Sequence, residues 1–69
     1  MLNKLAERVK EIRVEKGINQ NEFAELCHVQ QSCVSKWERG ITLPDAETIV
    51  VICKAFNISA DYLLGITDY

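Results

Sequence analysis

This 69-residue sequence has little of the chemistry from which metal centres and active sites are built. It has one histidine, and its three cysteines, Cys27, Cys33 and Cys53, lack the paired spacing of zinc ligands. It shows no glycine-rich phosphate loop, no paired carboxylates beside the histidine and no nucleophile with a neighbouring base. We therefore expect no metal site, no cofactor, no small-molecule substrate and no enzymatic activity, and we interpret the cysteines as free thiols.

Long apolar runs are also missing. No stretch is long enough to span a bilayer, and no charged start followed by an apolar segment resembles a signal peptide. We therefore expect a cytoplasmic protein without a membrane partner. The composition, 48% hydrophobic and 26% charged, is typical of a globular protein, and the length fits one small domain over residues 1–69.

The charge is weakly acidic and unevenly distributed. The net charge is −2: residues 1–20 carry five basic and three acidic groups, whereas residues 41–69 carry one basic and four acidic groups. Nucleic-acid-binding proteins are usually basic, so the total alone argues against that class. The distribution leaves the possibility open, because the acidic groups gather in the last third of the chain.

Two short segments in the middle of the chain, 20–27 and 31–39, carry apolar residues at helical spacing. Helices of this length are unstable alone in water, so they must pack against each other and the rest of the chain. At about 100° per residue, Cys33, Val34 and Trp37 share one side of the second segment, and Glu38 lies at its border.

The opposite side of that segment spans an arc of about 140° and has amide, hydroxyl and basic groups without a carboxylate. Groups of these kinds hydrogen-bond base edges and phosphates in the major groove of DNA. We call this surface the recognition face; it consists of Gln31, Ser32, Ser35, Lys36 and Arg39.

The spacing of the two segments resembles the helix-turn-helix of the phage repressor and Cro-like family, the xenobiotic-response-element type of DNA-binding domain. In that register Gln20 opens the first helix, Ala24 is the small residue where the helices cross, and the turn falls at His28. Val34 and the WERG sequence at 37–40 also match. The resemblance covers nearly the whole chain and implies an all-α domain of five helices, with the helix-turn-helix at helices 2 and 3.

The flanking segments agree with that fold. Apolar spacing predicts helices over about 2–16, 46–56 and 60–64, the first with Leu2, Leu5, Val9 and Ile12 on its inner side. Along the second of these, Ile49, Ile52, Cys53 and Phe56 form the expected inner stripe, and Val51 points nearly opposite.

Local signals predict where the helices begin and end. Asn19 with Glu22 matches a capping box, and Asp45 and Ser59 are expected N-caps. His28 stands where the family usually has glycine and is expected to adopt a positive φ. Gln30 is a poor substitute for a serine or threonine N-cap.

Arg13 falls within the apolar stripe of the first helix, where an unpaired charge would be unfavourable. Its guanidinium either reaches the edge of the core or pairs with Glu38. The resemblance supports the pair, which would lock the first helix to the end of the third.

The resemblance implies a transcriptional regulator of phage or prophage type, a repressor, with helix 31–39 in the major groove of double-stranded DNA. We predict base contacts from Gln31, whose amide matches the adenine edge, and from Ser32 and Lys36. Gln20 matches the family position that clasps a phosphate, although a solvated glutamine is the alternative. The predicted backbone contacts are Asn19, Gln20, Ser35, Arg39, Lys16 and Thr42.

Related repressors dimerise through the C-terminal part of this domain, which implies a homodimer on half-sites about one helical turn apart. The candidate interface residues are Val51, Tyr62, Ile66 and Tyr69, and scattered surface apolar residues are the alternative reading. A protein-binding module on the same fold, such as an antitoxin or anti-repressor, is the second functional hypothesis. The acidic balance and the lack of basic residues at 41–43 favour it.

Overall fold

The computed structural model describes residues 2–68, with side chains from residue 4 to residue 68, and this part of the chain is all-α. The all-α prediction and the helix-turn-helix at the second and third helices are therefore confirmed. The first helix ends one residue earlier than expected and the third ends at residue 38, with Arg39 as its C-cap. The helices are α1 (Leu2–Glu15), α2 (Gln20–Cys27), α3 (Gln31–Glu38), α4 (Ala46–Phe56) and α5 (Ala60–Leu64).

Side-chain caps begin three of these helices where the sequence places them. Asn19 Oδ1 accepts the Glu22 backbone N–H at 2.8 Å, and Glu22 Oε1 accepts the Asn19 backbone N–H at 2.9 Å, which completes the capping box. Asp45 and Ser59 cap α4 and α5, and the backbone N–H that Asp45 accepts lowers the pKa of its carboxyl group. Gln30 makes no side-chain cap bond at the start of α3.

The helices enclose one hydrophobic core. α2 packs against α3 and α4, α1 packs against α3 and α5, and α4 packs against α5, so each helix has at least two neighbours. The rings of Phe23 and Phe56 stack with their centroids 5.3 Å apart and join α2 to α4. Each large apolar side chain that is fully buried contributes about 1.5–3 kcal/mol. The largest fully buried side chains are Phe23, Leu5, Ile52, Leu63, Val9 and Val34.

α4 is rotated about its axis relative to the sequence prediction. Thr48, which is not in the apolar stripe, is buried with 9% of its surface exposed. Because Thr48 lies beside Ile52 on a helical surface, the inner side of α4 turns towards it. Val51 is consequently half-buried rather than pointing nearly opposite the core, and Val50 is the valine that is exposed.

Within residues 2–68, two residues other than glycine adopt left-handed backbone conformations. His28 ends α2 with φ 59°, and Asn57 ends α4 with φ 54°. Asparagine and histidine both tolerate this region better than most side chains, but only asparagine has the short polar side chain that can offset the strain by a local hydrogen bond. The turn of the helix-turn-helix therefore contains local backbone strain at His28.

Substitution of His28 by glycine is expected to stabilise the protein. Removing the Cβ relieves the strain, and part of this gain is offset by the entropy of glycine in the unfolded chain, which leaves about 0.5–1 kcal/mol. Urea unfolding measures the effect. Asn57→Gly is the matched control, and its gain should be smaller because asparagine already fits. An equal gain at both positions would contradict the strain assigned to His28.

The three cysteines are free thiols, with Cys27 buried and Cys33 and Cys53 half-buried. Burial raises the pKa of the Cys27 thiol to about 11 because desolvation disfavours the thiolate. The unfolded chain ionises this thiol near its ordinary pKa of about 8.5. The contribution to stability is therefore complete below about pH 8.5 and is lost as the pH rises through about 11.

This titration predicts how alkali weakens the fold. Between about pH 8.5 and 11 the free energy of unfolding of the wild type should fall more steeply than that of Cys27→Ala. All other titrating groups are common to the two proteins, so they cancel in the comparison. Denaturant unfolding at a series of pH values measures both slopes. Parallel curves would show that the buried thiol does not titrate in this way.

Candidate nucleic-acid interface

The two sides of α3 differ in exposure. Val34 and Trp37 are buried, with 0% and 4% of their surfaces exposed, and they join the core shared with α1 and α2. The recognition face points outward: Gln31, Ser32, Lys36 and Arg39 are exposed, and Ser35 is half-buried. The recognition face, which runs the length of α3, is thus accessible to a ligand.

A two-pronged ion pair holds the end of α3 to α1. Arg13 Nε donates to Glu38 Oε2 at 2.7 Å, and Arg13 Nη2 donates to Glu38 Oε1 at 3.1 Å. Arg13 Nη1 also donates to the backbone oxygen of Ile18 at 3.1 Å. The side chains are 15% and 5% exposed, so the pair is largely removed from water. The hydrogen bond to Glu38 raises the pKa of Arg13, with burial acting in the opposite direction.

The ion pair continues into the recognition face through two glutamines. Gln20 Nε2 donates to Glu38 Oε1 at 3.2 Å, and Gln31 Nε2 donates to Gln20 Oε1. We call the four side chains Arg13, Glu38, Gln20 and Gln31 the polar relay. It connects α1 to the first residue of α3 through side chains that lie up to 25 positions apart.

The polar relay determines the orientation of the side-chain amide groups of Gln20 and Gln31. Glu38 carries only acceptors when ionised, so Gln20 must turn its NH₂ group towards it. Gln20 then presents its oxygen to Gln31, which uses one of its N–H groups there. Gln31 is left with an acceptor oxygen and a second N–H for another partner. An outward-facing pair of this kind matches the adenine N6/N7 edge.

The residues predicted for backbone contacts have different surroundings. Asn19 uses its side-chain oxygen as the N-cap, which leaves its NH₂ group for other contacts. Ser35 accepts from Arg39 Nε through its backbone oxygen at 3.3 Å. Lys16 and Thr42 are exposed. These side chains thus lie on three segments of the surface: the connection between α1 and α2, the helix α3 with its C-cap, and the connection between α3 and α4.

The connection between α3 and α4 is apolar at its surface. Ile41 and Leu43 are 56% and 44% exposed and flank Thr42, and residues 41–43 have no basic side chain. Contacts of the loop with phosphate would depend on backbone N–H groups and the Thr42 hydroxyl.

The residues predicted for a dimer interface are only partly surface groups. Ile66 is 65% exposed, Val51 and Tyr62 are half-buried, and Tyr69 lies outside the described residues. The guanidinium carbon of Arg8 lies over the Tyr62 ring, 4.0 Å from the ring centroid. Arg8, which is 7% exposed, was missed in the sequence, although it lies between Leu5 and Ile12 at helical spacing.

Among residues 2–68 there is no cluster of three or more histidine, cysteine, aspartate or glutamate side chains with which a metal ion could be held. Over the same range, none of the helices has the length and apolar character needed to cross a membrane.

Comparison with known proteins identifies a family. A family profile described as helix-turn-helix matches residues 9–63. The chain is similar to the HTH-type transcriptional regulator ImmR of Bacillus subtilis, with 38% identity over 61 residues, which is 88% of this chain and 48% of that protein. It is also 28% identical over 61 residues to the antitoxin PezA of Streptococcus pneumoniae, 39% of whose length is covered. The chain thus spans about half or less of the length of these relatives.

Solved structures of similar chains have the same fold. A transcriptional regulator from Listeria innocua superimposes with a TM-score of 0.85 at 33% identity, covering 88% of this chain and 57% of that one. The P22 c2 repressor in complex with a synthetic operator gives a TM-score of 0.81 at 32% identity, covering 86% and 89% of the two chains.

Breaking the ion pair from one side should destabilise the fold strongly. Glu38→Leu leaves the Arg13 charge without its partner in a largely buried site, and we expect a loss of about 2–4 kcal/mol in the free energy of unfolding. The double variant Arg13→Met/Glu38→Leu should lose less than the sum of the two single variants, because no unpaired charge remains. Urea unfolding is measured for the wild type, Glu38→Leu, Arg13→Met and the double variant.

The exposed pair Lys4–Glu7, with nitrogen and oxygen 3.9 Å apart, provides the matched control. Glu7→Gln should change the free energy of unfolding by less than about 0.5 kcal/mol, because solvent screens exposed ion pairs. Losses at Glu38 no larger than those at Glu7 would contradict the structural role of the buried pair.

Proposed function

Since the chain belongs to the helix-turn-helix family, we propose that it is a transcriptional regulator of the repressor type that binds double-stranded DNA sequence-specifically with α3 in the major groove. The observation that carries the proposal is the outward recognition face on a helix anchored from behind by Val34 and Trp37. Such a helix enters the major groove with its N-terminal residues at the bases. In this role the protein acts in the cytoplasm, as a binding protein rather than an enzyme.

Base reading is assigned to two side chains in the first turn of α3 and one in its last turn. Gln31 accepts from adenine N6 and donates to adenine N7 with the two groups that the polar relay leaves available. Ser32 lies beside Gln31 and is exposed to the same groove. Lys36, one turn further along, binds guanine or a phosphate. Together these side chains read a half-site of a few base pairs.

Backbone contacts hold α3 in register. The assignment of Gln20 as a phosphate contact is supported by its position in the first turn of α2, where backbone N–H groups and the helix dipole favour an anion. Ser35, Arg39, Asn19, Lys16 and Thr42 complete the set. Because the net charge is −2, non-specific affinity is weak and specific binding depends on the base contacts and on dimerisation.

The proposed binding unit is a homodimer on two half-sites about one helical turn apart. A monomer that reads a few base pairs cannot select one site in a genome, whereas two coupled monomers can. The exposed Ile66, at 65%, supports a self-complementary surface at the C-terminal end of the domain. Val51, Tyr62 and Tyr69 remain the other candidates for that surface.

A protein-binding module on the same fold is the second candidate function. The similarity to the antitoxin PezA and the acidic last third of the chain favour it. In that case the apolar side chains at Ile41 and Leu43, 56% and 44% exposed, would contact a partner protein rather than border a phosphate backbone. A measurement of sequence-specific DNA binding distinguishes the two functions, because only the regulator requires it.

The proposed function predicts a specific defect in Gln31→Ala. Binding sites are first selected from a random DNA pool at fixed moderate salt, and affinity is then measured for the selected site and for a version with its contacted A·T pair changed to G·C. The wild type should discriminate between them by about 1–3 kcal/mol. Gln31→Ala should bind both equally, with unchanged far-ultraviolet circular dichroism.

Gln30→Ala is the matched control, because Gln30 is the exposed neighbour and makes no cap bond. It should keep the preference for the selected site. Lys36→Ala separates two roles: loss of a phosphate contact lowers the slope of log affinity against log salt by about one, whereas loss of a base contact leaves the slope unchanged. Failure to select any site, or equal discrimination by Gln31→Ala and the wild type, would refute the proposal.

A further inference from the structure

Arg8 connects the beginning of the chain to its end. Arg8 Nη1 donates to the backbone oxygen of Tyr62 at 2.7 Å and to that of Thr67 at 3.3 Å. Its guanidinium also lies over the Tyr62 ring, and Arg8 Nη2 is 3.8 Å from Asp68 Oδ1. Asp68 is almost fully exposed, so this last contact is weak, whereas the two carbonyl contacts are made by a side chain only 9% exposed.

The segment after α5 is fitted closely against α1. Gly65 has φ 83°, and a Cβ placed on it would lie 2.5 Å from Lys4 Cβ, so no other residue fits there without displacement. The backbone N–H of Ile66 donates to the Asp61 oxygen at 2.8 Å, which turns the chain back over α5. The backbone of residues 65–67 is thus held from both α1 and α5. We call Arg8 and the backbone that it holds, at Tyr62 and Thr67, the C-terminal clasp.

The C-terminal clasp fixes an apolar side chain at the surface. In the sequence Ile66 falls between the two residues whose carbonyl groups Arg8 holds, and 65% of its surface is exposed. An apolar contact between two protein copies is stronger when its side chains are already ordered before association, because ordering a mobile segment on association weakens binding. Without the clasp, this ordering would have to occur during dimerisation.

We propose that Arg8 is a positioning residue for the homodimer: it preorders residues 62–67 so that Ile66 meets a second copy of this chain. The inference rests on the homodimer of the proposed function. Arg8 acts through backbone carbonyl groups and the Tyr62 ring and contacts no DNA in this scheme. Lysine replaces it only in part. One ammonium group can donate to the two carbonyl groups, which Arg8 binds through the single nitrogen Nη1, but it lacks the planar guanidinium that lies over the Tyr62 ring.

The test compares affinity for two duplexes. One carries the palindromic site obtained by selection, and the other carries a single intact half-site with the second half scrambled. The proteins are the wild type, Arg8→Met, Arg8→Lys, Ile66→Asp as a direct disruption of the surface, and Ile52→Val as a control that weakens the core elsewhere. All titrations are done well below the unfolding midpoint, and the fluorescence of the single tryptophan, Trp37, verifies the fold.

The wild type should bind the palindromic duplex at least tenfold more tightly than the half-site duplex. Arg8→Met should lose most of this ratio while its half-site affinity changes less than threefold, and Arg8→Lys should lie between them. Ile66→Asp should also lose the ratio, and adding Arg8→Met to it should cause no further loss. Ile52→Val should keep the ratio, which separates positioning from general stability.

Three results would overturn the inference. If the wild type shows the preference and Arg8→Met retains it, Arg8 does not position the interface, although the homodimer stands. If Arg8→Met weakens binding to both duplexes equally, its role is structural only. If the wild type binds both duplexes equally, the proposed homodimer itself is wrong, and sedimentation of the free protein would then show a monomer.

Discussion

The burial of one side of α3 is the constraint on which the rest of the structure depends. An eight-residue helix is not stable in water by itself, so α3 exists because Val34 and Trp37 enter the core formed with α1 and α2. Burial of that side leaves the opposite side in solvent. The surface proposed to read DNA is therefore a direct consequence of packing. Local strain at His28 is tolerated because the same packing holds both ends of the turn.

Polar contacts refine what packing places only approximately. Arg13 and Glu38 meet through a planar two-pronged pair, a geometry that restricts rotation of α3 relative to α1. Gln20 extends this restraint to Gln31, so the orientation of a surface amide is determined by a buried ion pair. Preordered side chains lose less entropy on binding, which matters in a protein whose net charge gives it little general attraction to DNA.

Sequence reasoning predicted the helices well because their signals are local. The capping box at Asn19 and the N-cap at Asp45 act within three residues, and apolar spacing gives the inner side of each helix. It missed Arg8, whose partners at Tyr62 and Thr67 lie 54 and 59 positions away. A charged residue in an apolar stripe gives no indication in the local sequence of which distant residue it binds. It also misjudged the rotation of α4, because a buried threonine contributes nothing to an apolar pattern. The hydrogen bond between Gln31 and Gln20 depends on how α2 and α3 pack against each other, so it was likewise not predictable.

The most direct test of the central claim, that the recognition face reads bases, is an NMR titration of the ¹⁵N-labelled protein with the selected duplex. The account predicts that the largest shift changes fall on the side-chain amide of Gln31 and on the backbone amides of Ser32 and Lys36. A scrambled duplex of equal length should leave the Gln31 side-chain signal nearly unchanged. Changes concentrated on α1 or α5, with the signals of α3 unaffected by either duplex, would contradict the account.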